Sequence, residues 1–322
     1  MYTIEAIQNL VEQALNKEKW DAKPAGLYEP VAYVLGLGGK RIRPSLLLLS
    51  ANLFTEKIHD ALPAALGIEI FHNFTLLHDD IMDEAPLRRN KPTVHKKWNE
   101  NTAILSGDAM LIKAYQYISA VPADKLSDCL AIFSQTALEV CEGQQYDMDF
   151  ETRKDVTLDE YLEMIRLKTA VLLAASVQIG ALIVGAEKKD AQLLYTFGLN
   201  IGLAFQLKDD LLDVYGDSAT FGKQIGGDIV SNKKTFLLLS AYQNPLTRVA
   251  LEQWILKREF DATSKIQAVR EIYNQAQVKA LCEDKMNGYY DAAMTALDAL
   301  SVPNERKSSL RKVANQLMCR EI

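Results

Sequence analysis

Apolar residues recur along this chain with the spacing of amphipathic helices. Near the N-terminus they return every three or four positions, the period of an α-helix, and Thr3 stands directly before them as a candidate cap. No proline occurs between Pro122 and Pro245, and that stretch is rich in good helix formers. Alternating β-branched runs, which would indicate strands, are nearly absent. The pattern predicts an all-α protein. The first apolar stripe consists of Ile4, Ile7, Leu10, Val11 and Leu15.

Glycine and proline mark the predicted breaks between the helices. None of these breaks is long or biased enough in composition to be an interdomain linker, so we expect residues 1–322 to form a single domain. The breaks fall at residues 23–30, 36–44, 85–92, 216–227, 244–245 and 302–304.

Residues 169–185 (TAVLLAASVQIGALIVG) carry no charge. The segment lies at the short end of the length that a membrane span requires, and it contains Ser176 and Gln178. We therefore interpret it as a helix buried in a large helical core, and we predict no membrane span.

Composition narrows the possible functions. The 322 residues are 48% hydrophobic, enough to bury a large core, and the net charge is −6. An acidic chain lacks the basic footprint of a general nucleic-acid binder, so we expect no nucleic-acid partner. The four cysteines are far apart and favour unpaired thiols in a reducing cytoplasm over a zinc site or a disulfide framework. The N-terminus does not resemble a signal peptide.

Two aspartate clusters stand out. The first aspartate motif, HDDIMD at residues 78–83, returns as the second aspartate motif, KDDLLD at residues 208–213. Each follows a long apolar helical stretch. Asp79 and Asp83 are four positions apart, so their carboxylates share one helix face and repel each other. A ligand from outside the chain would relieve this repulsion, and oxygen ligands without histidine or cysteine suit Mg²⁺. A solvated acidic helix end is the alternative for a single motif, but the second motif, with Asp209, Asp210 and Asp213, favours a metal site.

A stripe with i+4 spacing leads into the second motif. Gly198, Gly202, Gln206 and Asp210 follow one helix face, and the two glycines permit the close approach of a ligand or of another backbone. The spacing therefore predicts that Gln206 and the aspartates line a cleft, together with tight helix packing at the glycines.

Cationic side chains cluster beside glycine turns. We interpret Arg41 and Lys234 as solvated charges, whereas Lys168, at the start of the uncharged helix, needs a partner. Two basic groups beside two carboxylate sets predict two diphosphate ligands, and the neighbouring Phe71, Phe74, Leu77 and Phe205 indicate that one is a lipid diphosphate. The cations are Lys40, Arg41, Arg43, Arg88, Arg89, Lys168, Lys223, Lys233 and Lys234.

These motifs together resemble the trans-type isoprenyl diphosphate synthases of the polyprenyl synthetase family. The resemblance covers most of the chain, in the family's order and roughly its spacing. Asn90 is a departure, because glycine usually follows the two arginines. The motifs are GGKRIRP (38–44), HDDIMD (78–83), GQQYD (143–147), LKTA (167–170), FQLKDDLLD (205–213), GK (222–223) and GGDIVSNKKTF (226–236).

The resemblance implies the isoprenoid synthase fold, a large helical bundle around a central cavity, and a role for each matched residue. Isopentenyl diphosphate would be bound by Lys40, Arg43, His72 and Arg89. The allylic diphosphate would be bound by Arg88, Lys168, Lys223 and Lys233. A cluster of about three Mg²⁺ ions would have Asp79, Asp83 and Asp209 as main ligands. Supporting positions would be Asp80, Asp147, Asp210, Asp213 and Asp228.

The implied reaction is ionisation of the allylic diphosphate, condensation and proton loss, with water excluded from the intermediate carbocation. Thr169, Gln206 and the carbonyl near Lys168 would face the cation, and the released diphosphate would take the proton. His78 would be a structural neighbour of the motif, His95 would order its loop, and His59 would lie on the surface.

Helical geometry bears on product length. At 1.5 Å per residue, Phe74 lies roughly 7 Å and Phe71 about 12 Å behind Asp79 along the helix axis. Either ring could stop a chain growing back from the aspartates, or both could simply be core. Phe74 lies five positions before the first aspartate, and Thr75, which is not aromatic, lies four positions before it. This arrangement resembles that of family members whose products stop at geranylgeranyl length. We expect a C20 product, with C15 close behind.

Two other classes fit less well. A class I terpene cyclase would lack the basic group at Lys40 and Arg43 and would not repeat DDxxD. An inactive helical subunit would be expected to lose part of an aspartate motif, and both motifs are intact. The family resemblance further implies a homodimer.

Overall fold

The structure, a computed structural model, describes residues 1–216 and 225–319. Over these residues α-helices dominate, and β structure is confined to one hairpin, which confirms the all-α prediction. The helices are α1 (Ile4–Lys17), α2 (Ala25–Gly36), α3 (Ile42–Phe54), α4 (Leu62–Met82), α5 (Val94–Lys97), α6 (Glu100–Ile118), α7 (Leu126–Thr152), α8 (Leu158–Ile165), α9 (Val171–Ile183), α10 (Lys188–Tyr215), α11 (Gly227–Val230), α12 (Phe236–Gln243), α13 (Arg248–Leu256), α14 (Ala262–Gln275), α15 (Val278–Asp298) and α16 (Asn304–Met318). A 3₁₀ turn (His59–Ala61), a π-helical turn (Arg166–Ala170) and strands β1 (Leu87–Arg88) and β2 (Lys91–Pro92) complete the elements.

The chain divides into two compact units. The first unit consists of Met1–Ala137, Leu172–Tyr195 and Asp298–Leu310. The second unit consists of Leu138–Val171, Thr196–Leu297 and Arg311–Ile322. That residues 1–322 form one domain stays a prediction.

In the first unit, helix α4 is surrounded by other helices. It packs against α3 and α6, while α2 covers α6 and α1 covers α3. Residues Ala64 to Phe71 of α4 are therefore all buried. Gly67 allows the close approach of α6, because a Cβ there would lie 3.0 Å from the Ala114 carbonyl oxygen. This packing fixes the helix that ends in the first aspartate motif.

In the second unit, α12 packs against α8, α13 and α14, and α11 packs against α14. The core includes Leu207 and Leu211 of α10 and Leu237 of α12, all fully buried. Because the apolar face of α10 is held in this core, its last turns, which carry the second aspartate motif, have a fixed orientation.

The predicted breaks are confirmed in part. Thr3 caps α1 as expected, with its hydroxyl oxygen accepting from the Ala6 N–H at 3.2 Å. The break predicted over residues 23–30 extends too far, because α2 begins at Ala25 and Pro30 lies inside it. Burial of Val31, Val34 and Leu35 on that helix outweighs the hydrogen bond that proline cannot donate. Most of the break at residues 216–227 lies outside the described residues.

The long apolar helix is a core helix. The stretch Leu158–Ile183 is long enough to cross a membrane by length and composition, with a mean hydropathy of 1.4 in its most apolar window. However, 72% of that window is buried inside the protein. This burial agrees with the interpretation of residues 169–185 as a buried helix.

Candidate active site

The first aspartate motif ends helix α4. The Asp83 N–H still donates to the Asp79 carbonyl at 2.9 Å, so the two carboxylates lie one turn apart as the spacing predicts. Asp79 is half-buried, Asp80 is buried and Asp83 is exposed. The motif therefore presents Asp79 and Asp83 at an accessible helix end, while Asp80 faces the protein.

Arg88 neutralises part of this motif from within the chain. Its Nε lies 2.8 and 2.9 Å from the two Asp80 carboxylate oxygens, and its Nη2 lies 3.5 Å from Asp79 Oδ2. Burial raises the pKa of Asp80, although Arg88 opposes the shift. The expectation that a ligand from outside the chain compensates these charges was thus incomplete, because sequence spacing alone did not reveal that the hairpin folds Arg88 back onto α4.

A tight hairpin orients the two arginines. Leu87 pairs with Pro92 and Arg88 with Lys91, which leaves Arg89 and Asn90 as a two-residue loop. Both loop residues have positive φ, 53° and 61°, as a type I′ turn requires. Asparagine tolerates this conformation better than most residues, so Asn90 can occupy the position at which the family usually has glycine.

The four residues predicted to bind isopentenyl diphosphate all belong to the first unit. Arg43 Nη1 lies 3.1 Å from His72 Nε2, so the neutral imidazole accepts this bond. Burial and the neighbouring Arg43 and Arg89 guanidinium groups lower the pKa of His72 well below its ordinary value. Gly39, at a φ of 142°, faces Arg89, because a Cβ there would lie 2.8 Å from Arg89 Nη2. Lys40 follows in the same loop. The structure therefore gathers cations around His72.

Arg41 is not a solvated charge, contrary to the sequence interpretation. Its guanidinium is buried and bonds Glu69 at 2.7 Å, Glu12 at 3.1 Å and the Leu35 carbonyl at 2.6 Å. These partners lie on three different helices or their ends, so no local pattern identifies them. Arg41 anchors the loop that carries Lys40 to the core of the first unit.

The predicted chain-length residues lie on α4 behind the aspartates. Phe74 and Phe71 are buried, with ring centroids 5.6 Å apart, and Phe71 continues into an edge contact with Phe133 at 5.2 Å. Thr75 is half-buried and donates to the His72 carbonyl at 2.8 Å. The aromatic side chains thus form a continuous wall at this level of the first unit, with Phe74 nearer the motif.

The second aspartate motif lies on the last turns of α10. Asp210 is buried and accepts hydrogen bonds from the Tyr161 hydroxyl and from the Phe236 N–H, the latter at 3.3 Å. Burial and the negative charge of Asp228 raise the pKa of Asp210 to about 7. Asp213 Oδ2 accepts from the Asp228 N–H at 3.0 Å. Asp209 is half-buried.

Lys168 has the partner that the sequence required. Its Nζ lies 2.7 Å from Asp147 Oδ2, and Lys233 Nζ lies 3.8 Å from the same oxygen. Burial alone would raise the pKa of Asp147, but Lys233 and Lys168 outweigh it and the pKa lies below its ordinary value. Gly143 permits this arrangement, because a Cβ there would lie 2.3 Å from the Lys168 backbone nitrogen. Two ammonium groups therefore converge on one carboxylate.

A pair of neutral oxygens lies beside these charges. The Thr169 hydroxyl donates to Gln206 Oε1 at 3.2 Å, and Lys168 and Thr169 both lie on the π-helical turn. Gly202, one turn before Gln206, packs on this turn, since a Cβ there would lie 2.5 Å from Ala170 Cα. The glycine thus serves helix packing. The side chains of Lys168, Thr169 and Gln206 line a small cavity of about 50 Å³, together with Met164 and Ile165.

The remaining predicted residues have simpler outcomes. Lys223 lies outside the described residues. Lys234 is half-buried rather than fully solvated, and burial lowers its pKa. His78 packs on Phe74, with ring centroids 4.8 Å apart, which agrees with a structural role. His59 is exposed as expected, and His95 is buried in the helix after the hairpin.

The carboxylates suit a metal ion that arrives with its substrate. Among residues 1–216 and 225–319, no three His, Cys, Asp or Glu side chains are arranged to hold a metal by themselves. Mg²⁺ binds proteins through one or two carboxylates and completes its shell with water and substrate phosphates. An accessible pair such as Asp79 and Asp83 fits that mode of binding.

Sequence reasoning did not identify Tyr161 or the contact from Asp213 to Asp228. Tyr161, Ile165 and Thr169 have i+4 spacing, so the sequence does indicate that Tyr161 shares a helix face with the LKTA motif. Its hydrogen bond to Asp210, however, joins residues 49 positions apart and has no local signal. The Asp213 contact depends on how the glycine turn before Asp228 returns to α10, which no spacing reveals.

Comparisons with known proteins agree with this geometry. The family model described as polyprenyl synthetase matches residues 24–274. A crystal structure of a geranylgeranyl pyrophosphate synthase superposes with a TM-score of 0.96 at 46% identity, covering 100% of both chains.

Curated relatives give the same assignment. A geranylgeranyl diphosphate synthase of Methanosarcina mazei is 43% identical over 235 residues, 72% of each chain. A geranylfarnesyl diphosphate synthase of Natronomonas pharaonis is 42% identical over 252 residues, 73% of this chain and 74% of that protein. The protein described here therefore belongs to the polyprenyl synthetase family, has the isoprenoid synthase fold and is a trans-prenyltransferase.

Proposed function

We propose that the enzyme condenses isopentenyl diphosphate head to tail with an allylic diphosphate, in a Mg²⁺-dependent reaction that yields a short-chain prenyl diphosphate, with C20 favoured and C15 close. One observation carries this proposal. Lys168 and Lys233 converge on Asp147 beside the Thr169–Gln206 oxygen pair. Ammonium groups that can bind a diphosphate therefore lie next to oxygen atoms that can stabilise a carbocation.

The allylic diphosphate is assigned to Lys168 and Lys233, to Arg88 beside the first aspartate motif, and to Lys223. Lys168 and Lys233 are supported by their approach to Asp147, since they can exchange this single carboxylate for diphosphate oxygens. Lys223 lies outside the described residues and is supported by the sequence motif alone.

Isopentenyl diphosphate is assigned to Lys40, Arg43, His72 and Arg89. The guanidinium groups around the neutral His72 support this assignment, because a bound dianion would offset their mutual repulsion and could favour protonation of the imidazole.

We assign Mg²⁺ to Asp79 and Asp83 of the first motif and to Asp209 of the second, with supporting roles for the neighbouring acidic residues. The accessible positions of Asp79 and Asp83 support this assignment. The bound metal would supply Lewis-acid stabilisation of charge on the leaving diphosphate. The supporting residues are Asp80, Asp147, Asp210, Asp213 and Asp228.

The chain's own groups then account for each step. Lys168 and Lys233 stabilise the diphosphate as the allylic C–O bond breaks and its electron pair goes to oxygen. Gln206 and Thr169 present oxygen lone pairs to the allylic cation, and the apolar Met164 and Ile165 exclude water. The π electrons of isopentenyl diphosphate form the new C–C bond, and a proton then leaves to the released diphosphate.

We also propose a homodimer and a cytoplasmic location. Exposed apolar side chains on α6, including Leu105 and Ile112, support a surface covered by a second copy. All four cysteines are free thiols, which is typical of a reducing compartment.

The proposal is tested by incubating the pure enzyme with isopentenyl diphosphate and each of the C5, C10 and C15 allylic primers, with Mg²⁺ or with EDTA. We expect products of C15–C20 with Mg²⁺ and none with EDTA. Cyclic hydrocarbons formed without incorporation of isopentenyl diphosphate would instead indicate a terpene cyclase. Asp79→Ala should reduce turnover by orders of magnitude, and near-normal turnover in that variant would contradict the metal assignment.

A further inference from the structure

Lys265, on α14, is a buried lysine that the proposed reaction does not use. Its side chain is 1% exposed. Its Nζ donates to the Val230 carbonyl at 3.0 Å and to Asn232 Oδ1 at 2.8 Å, and it lies 4.2 Å from the centroid of the Phe260 ring. A buried ammonium group is tolerated only when its donors are satisfied, so these contacts hold the side chain in one place.

Both oxygen acceptors belong to the turn that leads into Lys233. Asn232 has a left-handed backbone, with φ at 55°, and its Nδ2 donates to the Ile255 carbonyl at 3.3 Å. The Asn232 amide is therefore oriented with its oxygen toward Lys265. The next residue, Lys233, donates its backbone N–H to the Asp228 carbonyl at 2.9 Å. Lys265 thus holds the end of the turn from which the Lys233 side chain extends.

The segment that leads into this turn begins at Gly226, and different contacts hold it there. The Gly226 N–H donates to the Asp213 carbonyl at 2.7 Å, and the Asp228 N–H donates to Asp213 Oδ2 at 3.0 Å. Gly226, with φ at 84°, also packs on Ile266, the residue after Lys265, since a Cβ there would lie 2.7 Å from Ile266 Cδ1. Residues 226–233 are therefore held by the aspartate motif at one end and by Lys265 at the other.

We propose that Lys265 is a positioning residue of the allylic diphosphate site, whose ammonium group fixes the turn at residues 230–232 and thereby places Lys233. The inference rests on the proposed function, which assigns Lys233 to that diphosphate. Lys265 itself is enclosed by protein and touches no substrate. A displacement of about 1 Å in a substrate-positioning group can reduce catalysis by up to roughly 100-fold, so a lost contact at this distance has a measurable effect.

The test compares Lys265→Met with Lys307→Met. Lys307 is a matched control, because it is 3% exposed and its Nζ also donates to two oxygen acceptors, the backbone carbonyls of Asp298 at 2.8 Å and Leu300 at 3.0 Å. It belongs to the first unit, while Lys265 and Lys233 belong to the second. Both variants should lose thermal stability. Only Lys265→Met should raise the KM for the allylic diphosphate and lower kcat/KM about 10- to 100-fold, with the KM for isopentenyl diphosphate unchanged.

A double-mutant cycle identifies the route of the effect. In a Lys233→Gln background, Lys265→Met should reduce kcat/KM by less than in the wild type, because the group that it positions is already absent. An unchanged allylic KM in Lys265→Met, or an equal rise in Lys307→Met, overturns the inference.

Lys233→Gln alone separates this inference from the proposed function. If Lys233→Gln raises the allylic KM while Lys265→Met does not, only the positioning role fails. If Lys233→Gln leaves the allylic KM unchanged, the assignment of Lys233 to the diphosphate fails, and the positioning role falls with it.

Discussion

His72 lies among cations, and this makes the folded protein sensitive to acid. Its Nε2 accepts from Arg43 Nη1 at 3.1 Å, and burial with these charges depresses its pKa well below 6.5. Because the folded-state pKa is lower than the unfolded-state pKa, full stability is present above about pH 6.5 and is lost as the pH falls toward the folded value. The charged groups that act on the imidazole are Arg41, Arg43, Arg88 and Arg89.

We expect the free energy of unfolding to decrease between pH 7.5 and pH 5.5, with His72 contributing up to about 1.4 kcal/mol. His72→Gln keeps an acceptor for Arg43 but does not titrate, so it should show a smaller decrease over the same interval. Denaturant titrations of both proteins at the two pH values measure the difference. Equal decreases would show that His72 does not govern this dependence.

The burial of Arg41 could not be predicted from the residues around it. A cation beside two others in GGKRIRP has no local feature that separates it from Lys40 and Arg43. Its burial follows from Glu69, 28 positions away, and from Glu12. By contrast, the need of Lys168 for a partner was predictable, because a lysine that opens a buried apolar helix cannot remain unpaired.

At the scale of elements, contacts at glycine set the position of the π-helical turn. A Cβ at Gly143 of α7 would lie 2.3 Å from the Lys168 backbone nitrogen, a contact that side-chain movement cannot relieve. Gly143→Ala should therefore displace the turn, destabilise the protein by about 1–3 kcal/mol and raise the KM for the allylic diphosphate. Denaturant unfolding and steady-state kinetics measure the two effects.

Gly288 provides the matched control on α15, because a Cβ at that position would meet no atom within 4 Å apart from its chain neighbours and the adjacent backbone of its own helix. Gly288→Ala should stabilise the protein by roughly 0.5–1 kcal/mol through helix propensity and leave both KM values unchanged. If Gly143→Ala behaved like Gly288→Ala, the close approach of α7 to the turn would not constrain Lys168.

Helix α4 supports a prediction about product length. Phe74 lies nearer the first aspartate motif than Phe71, and the two ring centroids are 5.6 Å apart. If Phe74 stops the growing chain, Phe74→Ala should lengthen the products by about one isoprene unit, since the next barrier, Phe71, lies three residues or about 4.5 Å farther along the helix axis. Phe71→Ala alone should change them less, and the double variant should lengthen them further. Chromatography of the dephosphorylated products gives the distribution, and an unchanged distribution in Phe74→Ala would refute its role.

The elements that can be predicted from the sequence are those defined by short-range signals. Thr3 caps α1 through a bond to Ala6, and each aspartate motif ends a helix whose apolar period is visible in the sequence. The break predicted over residues 23–30 extends too far because burial of the residues after Pro30 keeps that proline inside α2. Tertiary burial overrode a local preference there.

At the scale of the whole molecule, the composition of the site was more predictable than its support. Motif order was enough to nominate Asp79, Lys168 and Gln206, because diphosphate chemistry requires those residue types. By contrast, the contacts around other residues of the site, such as Tyr161 to Asp210 and Lys265 to the turn before Lys233, are brought about only by the fold. A lysine or tyrosine on an ordinary amphipathic helix carries no signal that it will support a site.

The exposed apolar face of α6 predicts how two copies associate. Leu105 and Ile112 are 59% and 61% exposed and lie two turns apart on one helix face, with Ile104 beside them at 43%. Adjacent exposed apolar side chains on a helix are unfavourable in water unless another surface covers them. We therefore expect the wild-type protein to have a mass in solution near twice the 36.0 kDa of one chain, as measured by light scattering after size exclusion.

Leu105→Glu should shift that mass toward a single chain, because a dimer through this face would bury the introduced carboxylate and its like-charged copy without partners. Leu256→Glu is the matched control, since Leu256 is 68% exposed at the end of α13, away from α6 in sequence. It should leave the mass unchanged. Dissociation by Leu256→Glu with no effect of Leu105→Glu would place the interface on α13 instead, and a wild-type mass of one chain would exclude the homodimer at the concentrations measured.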